Sequence, residues 1–278
     1  MSKNVRDSKA RQRRACAALL CLCLMIAWAG AGADADADQA TVAQNSLPNS
    51  SGAASDSLRM VTLNIAHCRH NAINQLLLCS ERIRTNLERV AALLQTIDAD
   101  VVALQEADGP SRWSGNFDHV DWLANNAGYP WQASAEHAES WLFTYGTAVL
   151  SRLPFSETYE HTFQPSPPTF NKGFQLVRLD WRPDGDSGAI QGIDVVSVHL
   201  DFSRSRVRQQ QVEELIGTLM ERDSPIALLG DFNSDWLGDD AVVRRLASQF
   251  GLTVYRPESS DLGTYPSNGR RLDWVLIS

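Results

Sequence analysis

The chain is predicted to fold as an α/β domain, and three observations predict it. Short apolar runs of strand length recur, and several stop abruptly on a single polar side chain. Stretches with helical spacing of apolar residues separate them. At 278 residues with 44% hydrophobic content, the chain can bury one large core, and nothing in its interior marks a second domain.

The globular pattern starts at about Leu58. Before it, Lys3, Arg6, Lys9, Arg11, Arg13 and Arg14 make a basic start, Ala15 to Gly30 is apolar, and Ala31-Gly32-Ala33 is a small-residue cleavage pattern ahead of Asp34. Residues 1–33 therefore read as a secretory signal peptide, because the apolar run is a little short of the ~20 residues a membrane span needs. The alternative is an uncleaved amino-terminal membrane anchor. Either places the domain outside the membrane, secreted or periplasmic, and Cys21 and Cys23 lack a convincing lipoprotein context. Residues 34–57 alternate Ala and Asp and then run Ser, Asn, Pro and Gly, which reads as a disordered linker that cannot bury enough to fold.

Loss of residues 1–33 would remove six basic side chains and one acid, Asp7, so the remainder carries −13 where the whole chain carries −8. Such a protein is a poor generic binder of polyanions, which argues against a processive or stable nucleic-acid complex but not against a nucleic-acid substrate. Only Cys68 and Cys79 would remain, a disulfide candidate in an oxidising compartment, with two unpaired thiols as the alternative.

Within the domain, Leu58 to Ile65 alternates with strand period and carries Asn64 near its carboxyl end. Ser80 is a candidate cap for a helix in which Ile83, Leu87, Val90, Ala91, Leu94 and Ile97 mark one apolar face. Val101 to Leu104 is a buried-strand run that finishes on Gln105 and Glu106. Asp118 to Asn126 reads as a short helix closed by Gly128, and Gly146 to Ser151 as a compact strand ended by Pro154. Phe174 to Trp181 and Ile193 to His199 read as two strands joined by a turn over Pro183 to Gly188. A lone histidine on a strand is more often a structural hydrogen bonder than a catalyst, but the place of His199 at another strand terminus reverses that reading. Arg204 to Met220 reads as a helix whose basic first half is better explained as a solvated face than as a phosphate-facing rim. Ala241 to Phe250 reads as a helix closed by Gly251, and Arg271 to Ser278 as a final strand opening with Asp273.

The other elements are arranged around Ile226 to Trp236. An apolar strand stops at Gly230 and delivers Asp231 and Asn233 at its carboxyl end, where open α/β sheets tend to keep their chemistry. Side chains two apart on an extended backbone point the same way, so a carboxylate and an amide converge on one spot suited to a phosphoryl group. Gly-Asp-x-Asn is also good turn chemistry, and on this stretch alone the two readings weigh equally. Asn64, Glu106 and the Asp231/Asn233 pair are three such strand ends in one domain, and a shared site explains them better than three separate turns.

Taken together and in order, Leu63-Asn64-Ile65, Ala103-Leu104-Gln105-Glu106, Gly146-Thr147-Ala148-Val149-Leu150-Ser151, Ser197-Val198-His199-Leu200, Gly230-Asp231-Phe232-Asn233 and Arg271-Leu272-Asp273-Trp274 resemble the endonuclease/exonuclease/phosphatase superfamily. The resemblance runs from about Leu58 to Ser278. It implies a deoxyribonuclease-I-like fold, a four-layer α/β/β/α sandwich of two mixed β-sheets flanked by helices, and metal-dependent hydrolysis of a phosphate ester. On that resemblance Glu106 is the principal ligand of Mg²⁺, with Mn²⁺ as the alternative, and Asn64 is a helper at the metal. Asp231 orients or deprotonates the attacking water or protonates the leaving group, and Asn233 and His199 hold the scissile phosphate. Lys172 matches a phosphate-contacting region more weakly. Hard oxygen ligands suit Mg²⁺, and a cation with nearby donors offsets charge on phosphoryl oxygens.

The resemblance also expects a Ser-Asp-His motif beyond the last strand, with Asp273 orienting its histidine. The chain ends at Ser278 and carries no histidine after His199, so the sequence reads as carboxyl-terminally truncated, with the last strand left as an unpaired edge. The expected function is an exported phosphodiesterase or phosphomonoesterase, monomeric, acting on nucleic acid, a phospholipid headgroup or a small phosphoester. The alternative is a catalytically impaired phosphate-binding module of the same fold. Trp113, Phe117, Trp122 and Trp131 sit near the expected mouth, with core packing the expected use of at least two.

Overall fold

A computed structural model describes residues 43–44, 57–70, 72, 74–183 and 188–278. Residues 1–33, read above as a signal peptide, lie outside the described residues, as do most of residues 34–57 and the tip of the turn over Pro183 to Gly188. Two sheets form the centre. The first holds β1 (Ala43–Gln44), β4 (Trp131–Glu139), β5 (Thr144–Ser151), β3 (Val101–Asp108) and β2 (Met60–Asn64), in that spatial order. The second holds β10 (Thr253–Val254), β11 (Asp273–Ile277), β9 (Ile226–Asp231), β8 (Gln191–His199), β7 (Gly173–Trp181) and β6 (Phe155–Thr162). Each sheet is mixed: β2/β3 and β8/β9 run parallel and the other pairs antiparallel. The parallel pairs need long crossovers, and these carry α1 (Ser80–Ile97) and α3 (Ser205–Leu219).

Strand alternation sorts the apolar side chains into three cores, which defines the four layers. Val101 and Ala103 of β3 point with Val195 and Val177 into a core shared by both sheets, where Ala227 and Leu229 of β9 also lie. The intervening Val102 and Leu104 point the other way, onto Ile83, Leu87 and Leu94 of α1 and onto α2 (His119–Ala127). In the second sheet Val196, Val198 and Leu228 face Leu215 and Leu219 of α3 and Leu246 of α4 (Val242–Phe250). The expected sandwich is therefore present, because period-2 runs buried on both faces must be covered on both.

One polar tie crosses the middle. Gln105 Nε2 donates to Ser197 Oγ at 3.0 Å, and that hydroxyl donates to Leu104 O at 2.9 Å, all fully buried. Ser197→Ala would leave the Gln105 donor without its partner between the sheets, an expected loss of about 1–3 kcal/mol. Urea denaturation of the two proteins checks this, and equal midpoints would show that the tie contributes nothing.

Several expectations are corrected. Cys79, not Ser80, is the residue before α1, and its side chain makes no capping bond. α2 is capped by Asp118, which accepts from Asp121 N, and closed by Gly128 in the left-handed region. Cys68 and Cys79 are free thiols, the first buried under the loop after β2 and the second exposed at the start of α1. The last strand is not an edge, since β10 pairs with Leu276 and Ile277 along its outer side. Within residues 34–57, Ala43–Gln44 pairs with Trp131 and Gln132. The basic start of α3 is not wholly solvated, since Arg208 is buried and paired with Asp240.

Candidate active site

The topology carries the candidate strand-end residues to one end of the sandwich. β2, β3, β8 and β9 deliver their carboxyl ends there, while β7 and β11, antiparallel to β8 and β9, deliver their amino ends. Asn64 and Glu106 come from the first sheet, and His199, Asp231, Asn233 and Asp273 come from the second. Lys172 immediately precedes β7.

Asn64 is the bridge between the two groups. Its Nδ2 donates to Asp231 Oδ2 at 3.0 Å, and its Oδ1 accepts from Ala66 N at 2.9 Å. The same amide lowers the Glu106 pKa by favouring its charged form. Glu106 sits at a bulge in β3, between Gln105 and Ala107, with φ of 50°. The left-handed backbone breaks strict alternation and turns the carboxylate into the cleft. His199 lies between the acids, its Nε2 4.0 Å from Glu106 Oε1 and 3.7 Å from Asp231 Oδ2. Lys172 Nζ faces the His199 ring at 3.3 Å from both nitrogens. Asn233 donates its backbone N–H to Asp231 Oδ1 at 2.9 Å and its side-chain amide to Leu200 O at 3.0 Å. One hydrogen of that amide is thus occupied by the loop after β8.

The electrostatics differ from group to group. Burial would raise the Glu106 pKa, but His67, Lys172 and the Asn64 amide outweigh it and hold the carboxylate below its ordinary range. Asp231 goes the other way, to about 7, because burial and the facing Asp273 both oppose its charge. Asp273 is itself raised, chiefly by burial, and its Oδ1 is buried with no hydrogen-bond partner. Burial and Lys172 push His199 well below the usual imidazole range, so its ring is neutral. Burial also lowers Lys172, although Glu106, Asp231 and Asp201 pull against it.

The donors fit a hard divalent cation. Glu106 is ionised and partly exposed, a hard oxygen ligand for a divalent cation that keeps most of its waters, whereas the Asn64 amide turns its nitrogen to Asp231 and its oxygen to Ala66 N. Among the described residues no group of three or more His, Cys, Asp or Glu is placed to hold a metal ion.

Sequence reasoning missed two neighbours. His67 and Asp108 join the cluster, with His67 Nδ1 2.6 Å from Asp108 Oδ1 and Nε2 3.2 Å from Glu106 Oε2. Asp108 lies two residues beyond Glu106 on the same strand, and that spacing was the available signal. Of the four aromatic residues expected at the mouth, Trp113 packs edge-on to His67 at 5.2 Å, whereas Phe117 and Trp122 pack on the core under α1 and α2. Trp131 opens β4 and contacts Phe155.

The sequence matches the model of the Endonuclease/Exonuclease/phosphatase family over residues 61–278. No curated protein sequence matches. Among solved structures, an endonuclease/exonuclease/phosphatase family protein from Leptotrichia buccalis C-1013-b superposes with TM-score 0.57 at 17% identity, covering 80% of this chain and 87% of that one. Sphingomyelinase C from Streptomyces griseocarneus superposes with TM-score 0.54 at 20% identity, covering 80% and 83%. A humanized D. rerio TDP2 gives TM-score 0.53 at 18% identity, covering 80% and 82%. These identities speak to the fold.

Proposed function

From the premise that this chain belongs to the endonuclease/exonuclease/phosphatase family, a family of metal-dependent phosphoester hydrolases, we propose that it is an exported Mg²⁺-dependent phosphodiesterase. The observation that carries the reading is the convergence of Asn64, Glu106, His199 and Asp231 from two sheets onto one cleft. Packing alone has no use for such a set. The basic and apolar run at the amino terminus supports export, and the sphingomyelinase C among the fold neighbours supports a diester over a monoester.

Bound Mg²⁺ would be held by Glu106 with help from Asn64, and would supply positive charge against the phosphoryl oxygens. Asp231 accepts the proton of the attacking water, a task for which a pKa near 7 is well placed at neutral pH. The water oxygen forms its bond to phosphorus as the ester oxygen leaves. Neutral His199 donates one N–H to a phosphoryl oxygen, and Lys172 behind it supplies positive field. The free hydrogen of the Asn233 amide is a second donor.

The test is release of nitrophenol from bis-nitrophenyl phosphate with Mg²⁺, with and without chelator. Activity should vanish with chelator, and Glu106→Ala should lower kcat/KM by about 10²-fold, the scale of one lost electrostatic stabiliser. A folded wild type that binds metal and phosphate without turnover would replace this reading with the phosphate-binding module.

A further inference from the structure

The loop after β2 is built in a way that chain connection does not require. Ala66, His67 and Cys68 all adopt left-handed backbone, with φ of 48°, 54° and 53°. Each non-glycine residue there costs on the order of 1 kcal/mol, and such runs persist only when their surroundings over-determine them. Here both ends are tied. Asn64 Oδ1 accepts from Ala66 N at 2.9 Å, and the buried Asn86 of α1 donates to Cys68 O at 2.7 Å.

The result of that turn is the position of one imidazole. His67 is 8% exposed and held on two sides by the edges of Trp113 and Tyr145, whose ring centroids lie 5.2 and 4.7 Å away. Each of its nitrogens faces a carboxylate oxygen: Nδ1 is 2.6 Å from Asp108 Oδ1, and Nε2 is 3.2 Å from Glu106 Oε2. Asp108 is only 1% exposed, and burying a carboxylate there without a structural return would be costly. A hydrophobic pair of similar volume would pack the same space at less cost.

We propose that His67 is a positioning residue for the metal site: anchored from behind by Asp108, it holds Glu106 Oε2 and so leaves Oε1, on the His199 side, as the ligand atom. The inference rests on the reading of Glu106 as the principal ligand. It assigns the strained turn, the buried Asp108 and the aromatic walls one common task, fixing a carboxylate that itself sits on left-handed backbone. Partners behind a ligand typically set metal affinity by about 10- to 100-fold.

Mn²⁺ titration followed by the electron paramagnetic resonance signal of the free ion reads that affinity without turnover. His67→Ala should bind Mn²⁺ about 10- to 100-fold more weakly than wild type, with unchanged circular dichroism. His67→Gln should recover part of the loss, because its amide can still donate near the Nε2 position. Hydrolysis by His67→Ala should return as Mn²⁺ is raised past its new dissociation constant. Asp108→Asn reads the same chain of contacts from its far end and should weaken Mn²⁺ in the same direction. Affinity within twofold of wild type in folded His67→Ala, or loss of the folded state in both His67→Ala and Asp108→Asn, overturns the proposal. If wild type binds no Mn²⁺, the metal-site reading falls and this one with it. Wild-type binding matched by His67→Ala removes this inference alone.

Discussion

Asp231→Asn is expected to cut kcat/KM by about 10³-fold while making the metal-free protein more stable above pH 7. The loss of rate follows from removing the group that takes the proton of water, an effect of roughly 10²- to 10⁴-fold for a positioned base. The gain in stability follows from the cost of keeping that group charged. Asp231 is raised from an ordinary 3.8 to about 7 by burial and by Asp273 opposite it on β11. Between those two values the folded protein holds a proton that the unfolded chain has lost. Stability from this group is therefore full below about pH 4, declines as pH rises, and reaches its lowest level above about pH 7. The decline is on the order of a few kcal/mol. Asparagine fills the same space without the charge and can still accept from Asn64, so it escapes the decline. Melting temperatures with chelator at pH 5 and pH 8 check this: the variant should lead wild type at pH 8 by a wider margin than at pH 5. A variant equally destabilised at both would show that the wild-type carboxylate is at ease. Wild-type kcat/KM should climb with pH through the range in which Asp231 loses its proton and level off above that range.

At the opposite end of the sandwich, Asp194→Ala is expected to destabilise the fold by about 3–5 kcal/mol, the range for stranding the partners of a buried ion pair. Asp194 is fully buried on β8, where Arg178 reaches it at 2.9 Å and Arg222 at 2.9 and 3.0 Å. Arg222 also clasps Glu157 on β6 at 2.6 and 2.9 Å. Burial would raise the Asp194 pKa, but the two guanidinium groups outweigh it and hold it down. Its contribution is therefore present above the ordinary carboxylate pKa and lost as pH falls through the depressed folded value. Guanidinium denaturation at pH 7 measures the loss, and a change under 1 kcal/mol would mean that water replaces the carboxylate easily. Activity per folded molecule should be unaltered, since the network lies at the far end of β8 from His199.

The long apolar strands, with Asn64, Glu106, His199, Asp231 and Asn233 at their ends, were legible because burial writes apolar runs that chemistry at a strand end interrupts abruptly, whereas the two-sheet sandwich and the place of Lys172 came from the family resemblance. Two of the longer strands did not read, nor did the two-residue β1 and β10. β4 fills its inward positions with Ala133, Ala135 and Ala138, small residues with little strand preference, and β6 is an edge whose charged Glu157 and Glu160 mask its period. His67 escaped for a different reason. Its place depends on three left-handed residues stabilised by Asn64 and by Asn86 of a helix, and no local propensity reports a conformation imposed by distant partners. Asn233 was read as a phosphate donor, and the structure adds that Leu200 O already takes one of its amide hydrogens.

The hydrogen bond from Asn64 to Asp231 joins the two sheets at the mouth of the cleft, as Gln105 and Ser197 join them deeper in. On the proposed reading neither sheet owns a working centre: the cation's ligands would come from one half and the proton acceptor from the other. A cation and a phosphate bound together would act as a rivet across that seam. Ligation should therefore slow the parting of the halves as a unit, and hydrogen exchange should report the protection on β3 and β9 alike, at the ends of both strands away from Glu106 and Asp231 as well as beside them.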